Sequence, residues 1–348
     1  MSGTTVIAAF EKQIGWCESL GAPFTASVLR VLTDELGRGG PLAGMVGAWP
    51  GDPVADALAL RLAGAFHALV LQGADPDLAA CYPPGGGNTA HVRAVLLMAL
   101  GRHESFIRAF LRSPPQTNEV GRSAVLLGGF LRVAARTRLP VRLLEIGASA
   151  GLNMIWDSYG YRIGGQQWGD PASPVQLEPA WTGLLPPLKA PVSVTERAGC
   201  DVAPLDLASP EARLRLRSYV WPDQPQRLVR VEGAIRLAAE KRVTVERADA
   251  AAWVAERLSC PAPGHTTVLY HSIMWQYMPT ETQAALRATV ERAGAAAAVD
   301  APFAWLRFEP PTAKGRPELR LTCWPGGEEE HLAIAHPHGS EVTWHGAP

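Results

Sequence analysis

From residue 141 onward, short apolar runs alternate with stretches of apolar residues at helical spacing. Residues 141–146 (VRLLEI) read as a buried strand covered on both faces, and 266–270 (TTVLY) and 302–308 as further strands. Weaker strand signals stand at 192–195 and 243–245. Helical spacing marks 207–219, 227–240, 250–258 and 280–294. Residues 318–323, 331–335 and 341–344, separated by glycine turns, read as closing antiparallel strands. Before residue 112 the pattern is helical throughout: 4–20, 26–36, 53–72 and 91–111, with Pro/Gly breaks between them. The last break, 82–87, carries three adjacent glycines and reads as a surface connection or a lid. A helix is expected over 117–136, apolar nearly all round but with Asn118, Glu119 and Arg122 in its first turns, at spacings where they interact.

Strands that alternate with helices predict an α/β fold with a mainly parallel sheet. The expected division is a helical N-terminal domain over 1–115 and an α/β domain over 116–348. The second carries a Gly-, Pro- and Trp-rich insertion at about 159–191, expected to hold an irregular hairpin. A length of 348 residues suits two domains.

Composition narrows the function. Net charge is −1, which gives no electrostatic case for nucleic acid or an anionic membrane. No run of about 20 apolar residues and no signal pattern is present, so a soluble cytoplasmic protein is expected. Five dispersed cysteines without C-x-x-C fit a reduced compartment and argue against a disulfide framework. The spacing of His331, His336 and His338 matches no metal signature, so no metal site is expected.

The chemistry points to Val141–Asn153, VRLLEIGASAGLN. Gly147, Ala148, Ser149, Ala150 and Gly151 form a bend with little side chain, so backbone N–H groups can approach a ligand and a following helix would aim its positive end there. Glu145 stands at the carboxyl end of the strand, where open α/β sheets bind ligands. At the end of the 266–270 strand, His271, Trp275 and Tyr277 combine a possible base with aromatic faces.

The bend resembles the first motif of class I S-adenosylmethionine-dependent methyltransferases, with Ser149 replacing the middle glycine of G-x-G-x-G. Gly199–Pro204 resembles the G-x-D-x-x-P segment that holds the cofactor ribose in those enzymes. The insertion puts Glu196 and Asp201 further from the bend than usual; Asp201 is preferred over Glu196. A closer resemblance, in PPQTNEVGRSA (114–124), LLEIGASAGLN (143–153), ERAGCD (196–201), WPDQ (221–224) and YHSIMWQY (270–277), is to an uncharacterised bacterial family, the domain of unknown function 2332.

These resemblances imply a Rossmann-like methyltransferase sheet, mainly parallel with antiparallel C-terminal strands, and S-adenosylmethionine as cofactor. Glu145, Gly147, Ala148, Ser149 and Gly151 would hold its amino-acid end, Asp201 the ribose, Asp249 the adenine, with Ser272 beside them. Asp249 also reads as a helix N-cap. His271 is the expected base, with Tyr277 the second catalytic candidate. Asn118, Glu119, Arg122, Asn153, Trp156 and Trp275 would shape the substrate side, and the acceptor would be a small molecule. Two alternatives stand beside this reading: a non-catalytic ligand-binding protein of the same fold, and a nicotinamide-dependent oxidoreductase. Oligomeric state is open.

Overall fold

The computed structural model describes residues 2–85, 89–312 and 315–347. Helices open the chain: α1 (Ser2–Ser19), α2 (Pro23–Gly37), α3 (Pro41–Val46), α4 (Leu58–Leu71), α5 (Pro76–Cys81), α6 (Thr89–Arg102) and α7 (Glu104–Leu111). Then α8 (Arg122–Thr137) feeds β1 (Val141–Ile146), and the chain passes through a 3-10 segment, Leu152–Ser158. Strands β2 (Gly160–Ile163), β3 (Gln166–Gly169), β4 (Gln176–Leu177), β5 (Ala180–Gly183) and β6 (Val194–Asp201) follow. Next are α9 (Pro210–Ser218), α10 (Pro225–Glu240), β7 (Glu246–Arg247), α11 (Ala250–Arg257), β8 (Thr266–Ser272) and α12 (Thr280–Ala296). Strands β9 (Phe303–Glu309), β10 (Glu318–Trp324), β11 (Glu329–Ala335) and β12 (Glu341–Trp344) close it. Gly86 and Gly87 of the expected lid lie outside the described residues.

The chain divides into two compact units. The helical one comprises Met1–Thr117 and also Ser209–Val229. The sequence pattern assigned 209–229 to the α/β domain, and the packing explains the difference. Tyr219 joins the buried cluster of Phe10, Leu29, Leu62 and Phe66. Gly64 of α4 leaves room for it: a Cβ there would stand 2.7 Å from the Tyr219 ring. The Asp223 carboxylate accepts from Phe24 N at 2.6 Å and Thr25 N at 2.9 Å, closing the open N–H groups of α2 from 198 residues away. Proline opens α2, α3 and α5, where its fixed φ suits a helix start.

The second unit, Asn118–Ala208 with Arg230–Pro348, is built on a nine-stranded sheet of order β5-β12-β11-β10-β9-β8-β1-β6-β7. Strands β7, β6, β1, β8 and β9 run parallel; β9, β10, β11 and β12 run antiparallel to one another in turn. Strand β5 of the insertion lies parallel along β12, and β3-β2-β4 form a small separate sheet. This is a mixed α/β architecture with a mostly parallel sheet and antiparallel C-terminal strands. The second and third strands run 194–201 and 246–247, each later than the sequence pattern placed them.

Side chains alternate across the sheet. Helix α8 covers the face of Glu145, Tyr270 and Leu306. It comes close because Gly129 carries no side chain: a Cβ there would sit 2.4 Å from Leu306 Cδ1. Helices α11 and α12 cover the other face, where Leu144, Ile146, Leu269, Trp253, Leu286 and Trp305 form one buried cluster. All seven residues of β8 are buried, as a strand covered on both faces requires.

Candidate functional site

From β1 the chain builds outward to β6 and β7, then returns to build β8 and β9 on the other side. The gap between the carboxyl ends of β1 and β8 is therefore the switch point where open α/β sheets take ligands. The bend leaves β1 at this point. Gly147 (φ 65), Ser149 (φ 54) and Gly151 (φ 74) all have left-handed backbone there, which glycine takes without cost and serine does not. The segment after the bend is not the regular helix expected. Leu152–Ser158 is a 3-10 segment with Ile155 outside helical geometry, so it gathers little dipole.

The structure brings most of the expected residues to this end of the sheet. In register, Glu145 stands opposite Tyr270, whose hydroxyl bonds Glu145 Oε2 at 3.2 Å. Burial pushes the Glu145 carboxyl up to about 8, only partly relieved by that bond and by Arg122. Asn118 Oδ1 accepts from Leu152 N at 2.8 Å, fixing the exit of the bend. Asn153 is buried and its Oδ1 accepts from Ser123 Oγ at 2.7 Å. Arg122 Nη1 donates to Ser272 O at 2.8 Å and its Nε to Pro337 O at 3.1 Å. Glu119 Oε1 accepts from Gly121 N. Ala148 is fully buried, its N–H donating to Cys200 O of the neighbouring strand.

Helix α8 begins at Arg122, not at 117, so Asn118 and Glu119 precede it. Their carboxamide and carboxylate close backbone N–H groups, a competition that favours turns over helix.

Asp201 ends β6 beside the bend, the place a ribose-binding acid would take. One oxygen accepts from Ser149 N at 2.9 Å, the other from Ala203 N at 2.9 Å. Glu196 lies five residues back in the strand, ion-paired with Arg142. Asp249 caps α11, its Oδ1 accepting from Ala251 N and Ala252 N. The bend itself is partly filled. A Cβ on Gly147 would lie 2.8 Å from Met274 Cγ and 2.9 Å from its Cβ. Both Asp201 oxygens are thus engaged by backbone N–H groups, and the space on Gly147 belongs to Met274.

Three expected residues stand elsewhere. Trp156 is fully buried, stacked on Phe130 at 4.4 Å and on Trp168 at 5.6 Å, and is core. Tyr277 is 76% exposed. His271 is fully buried and, as the neighbour of Tyr270 along β8, points to the opposite face from Glu145.

On that face stands a group the sequence pattern did not assemble. Glu309, the last residue of β9, holds His271 Nδ1 at 2.7 Å. The same oxygen accepts from Met274 N at 3.0 Å and Trp275 N at 3.3 Å. Trp275 stacks on His271 at 5.2 Å, with Trp305 at 6.0 Å. Arg287 lies over Trp275, and Arg307 over Trp305. His271 Nε2, Glu309 Oε2, Arg307 Nε and Trp305 Nε1 are buried without a hydrogen-bond partner among the described residues. A buried polar atom left unpaired costs about 1–3 kcal/mol. Ile273 links this cluster to the bend with φ 49, an outlier for a β-branched residue that costs roughly 1–3 kcal/mol. The only cue in the sequence is an acid just past the 302–308 strand.

A cavity of about 220 Å³ opens at the other end of β8 and β9, lined by Thr267, Thr289, Arg292 and Phe303 among others. Thr267 and Ser272 are five residues apart on one strand, about 16 Å, so this cavity is remote from the bend. The carbonyl ends of α11 and α12 reach it, and none of the expected site residues lines it. Residue chemistry, not cavity volume, marks the candidate site. Among the described residues no group of three or more His, Cys, Asp or Glu is placed to hold a metal ion, and no helix is long and apolar enough to cross a membrane.

No curated protein and no solved structure matches this chain. A family model described as an uncharacterised protein conserved in bacteria, DUF2332, matches residues 7–344, and the chain belongs to that family.

Proposed function

We propose that this chain is an S-adenosylmethionine-dependent methyltransferase acting on a small molecule. The observation that carries the reading is the switch point between β1 and β8, where a glycine-bearing bend leaves β1 and Asp201 ends the adjacent strand. Bound there, the cofactor would supply a methyl group made electrophilic by its sulfonium. The chain's own work is to make room. Asp201 takes ribose hydroxyls by giving up Ser149 N–H or Ala203 N–H, and Met274 leaves Gly147. Net charge near neutrality favours a small acceptor over nucleic acid.

Titration calorimetry tests this. The wild-type chain binds S-adenosylmethionine at micromolar concentration, and Asp201→Ala weakens it at least tenfold. Absence of heat at high micromolar cofactor removes the proposal.

A second reading, a ligand-binding protein without catalysis, draws on the same site: Met274 occupies the bend and both Asp201 oxygens are engaged. It predicts binding with no methyl transfer to any acceptor in a metabolite extract. A turnover product excludes it.

A further inference from the structure

We propose that Glu309 is the positioning residue for a His271 general base, and that the pair serves a substrate carrying a neutral hydroxyl or amine, admitted when residues 273–277 lift. The inference rests on the reading that chemistry occurs at the carboxyl end of this sheet; it does not depend on which cofactor binds there.

The tautomer follows from the hydrogen bonds. Glu309 Oε1 accepts from two backbone N–H groups, Met274 and Trp275, so it is an acceptor. His271 Nδ1 at 2.7 Å from it must donate. The proton of the neutral ring is therefore on Nδ1, and the lone pair is on Nε2. That atom is buried with no partner among the described residues. A histidine kept only for structure gains nothing by burying an idle lone pair. An incoming X–H group would satisfy it. The X–H bond breaks, its proton forms an N–H bond at Nε2, and the electron pair stays on X. The resulting imidazolium faces the Glu309 carboxylate, which stabilises the charge. Trp275 and Trp305 supply flat apolar walls beside the ring, with Arg287 over both.

Access is the second half. His271 is fully buried beneath Trp275. The covering segment is held by Glu309 at Met274 and Trp275, and by Gln283 Nε2 at Trp275 O and Met278 O. It also carries the left-handed Ile273, which stores strain in the closed form and so lowers the cost of opening. The same movement takes Met274 off Gly147, so one opening exposes both the base and the bend.

The test uses the full chain. Histidine-15N spectra report the ring tautomer of His271; acylation by diethyl pyrocarbonate, read by mass spectrometry of the His271 peptide, reports access to an unprotonated ring nitrogen. The proposal expects Nδ1 protonated and Nε2 bare, with measurable acylation of the native chain. Ile273→Asn, which suits left-handed backbone and so favours the closed form, slows acylation about fivefold. Glu309→Leu loses the single tautomer; if that variant does not fold, the wild-type spectrum and Ile273→Asn still decide. A proton on Nε2, no acylation until the chain unfolds, or faster acylation of Ile273→Asn overturns it. Failure of S-adenosylmethionine to bind overturns the proposed function and leaves this inference standing.

Discussion

The two faces of the sheet's carboxyl end treat their polar groups differently. On the α8 face the ionisable and amide groups close on one another, Glu145 on Tyr270, Asn153 on Ser123, and Arg197 on Asp157 at 2.8 Å, while the Trp156 indole N–H stays unpaired among the described residues. On the α12 face, His271, Glu309 and Arg307 each keep one buried polar atom unpaired. Groups that close on one another brace the strands. Groups left open can take a further hydrogen-bond partner. Of the residues expected to shape the substrate side, Asn118 and Asn153 accept hydrogen bonds within the chain here and Trp156 packs on Phe130.

Trp156→Ala challenges that assignment most strongly. As core it costs about 3–5 kcal/mol in denaturant unfolding. A loss below about 1 kcal/mol would return Trp156 to the pocket. The Glu145 carboxyl gives the next effect. Its native value of about 8 lies above the ordinary carboxylate value, so between the two the native state holds a proton that the unfolded chain has lost. Stability then falls as pH rises from about 5 to about 8, by at most about 1.4 kcal/mol per pH unit. Glu145→Gln flattens the profile, as urea midpoints against pH will show. On the α12 face, Ile273→Asn relieves left-handed strain and raises stability by about 1 kcal/mol. Tyr277→Ala is the smallest change, within about 0.5 kcal/mol in the same assay, because the side chain stands in water.

Local signals were readable in the sequence, and arrangements set by register were not. The Asp249 cap could be read because its partners lie two and three residues away. The parallel pairing of β1, β6, β7, β8 and β9 followed from alternation with helices, and the closing antiparallel strands followed from their glycine turns. Glu309 escaped notice because it reaches His271 across 38 residues, through the parallel pairing of β8 and β9. Trp156 misled because nothing in a sequence tells a buried aromatic from one lining a pocket. The α8 start was read too early because Asn118 and Glu119 fit a helical pattern, yet their side chains serve N–H groups of the turn and bend. The helical unit's claim on Ser209–Val229 depends on Asp223 capping a helix 198 residues away, which no local pattern reveals.

Hydrogen exchange of the peptides spanning 141–158 and 266–280, with and without saturating S-adenosylmethionine, tests the central claim most directly. If the carboxyl end of β1 and β8 is the ligand site and residues 273–277 its cover, the cofactor changes protection in both peptides and leaves the remote 289–303 region unaltered. Unchanged exchange in both peptides at saturating cofactor, or a change confined to 289–303, contradicts it.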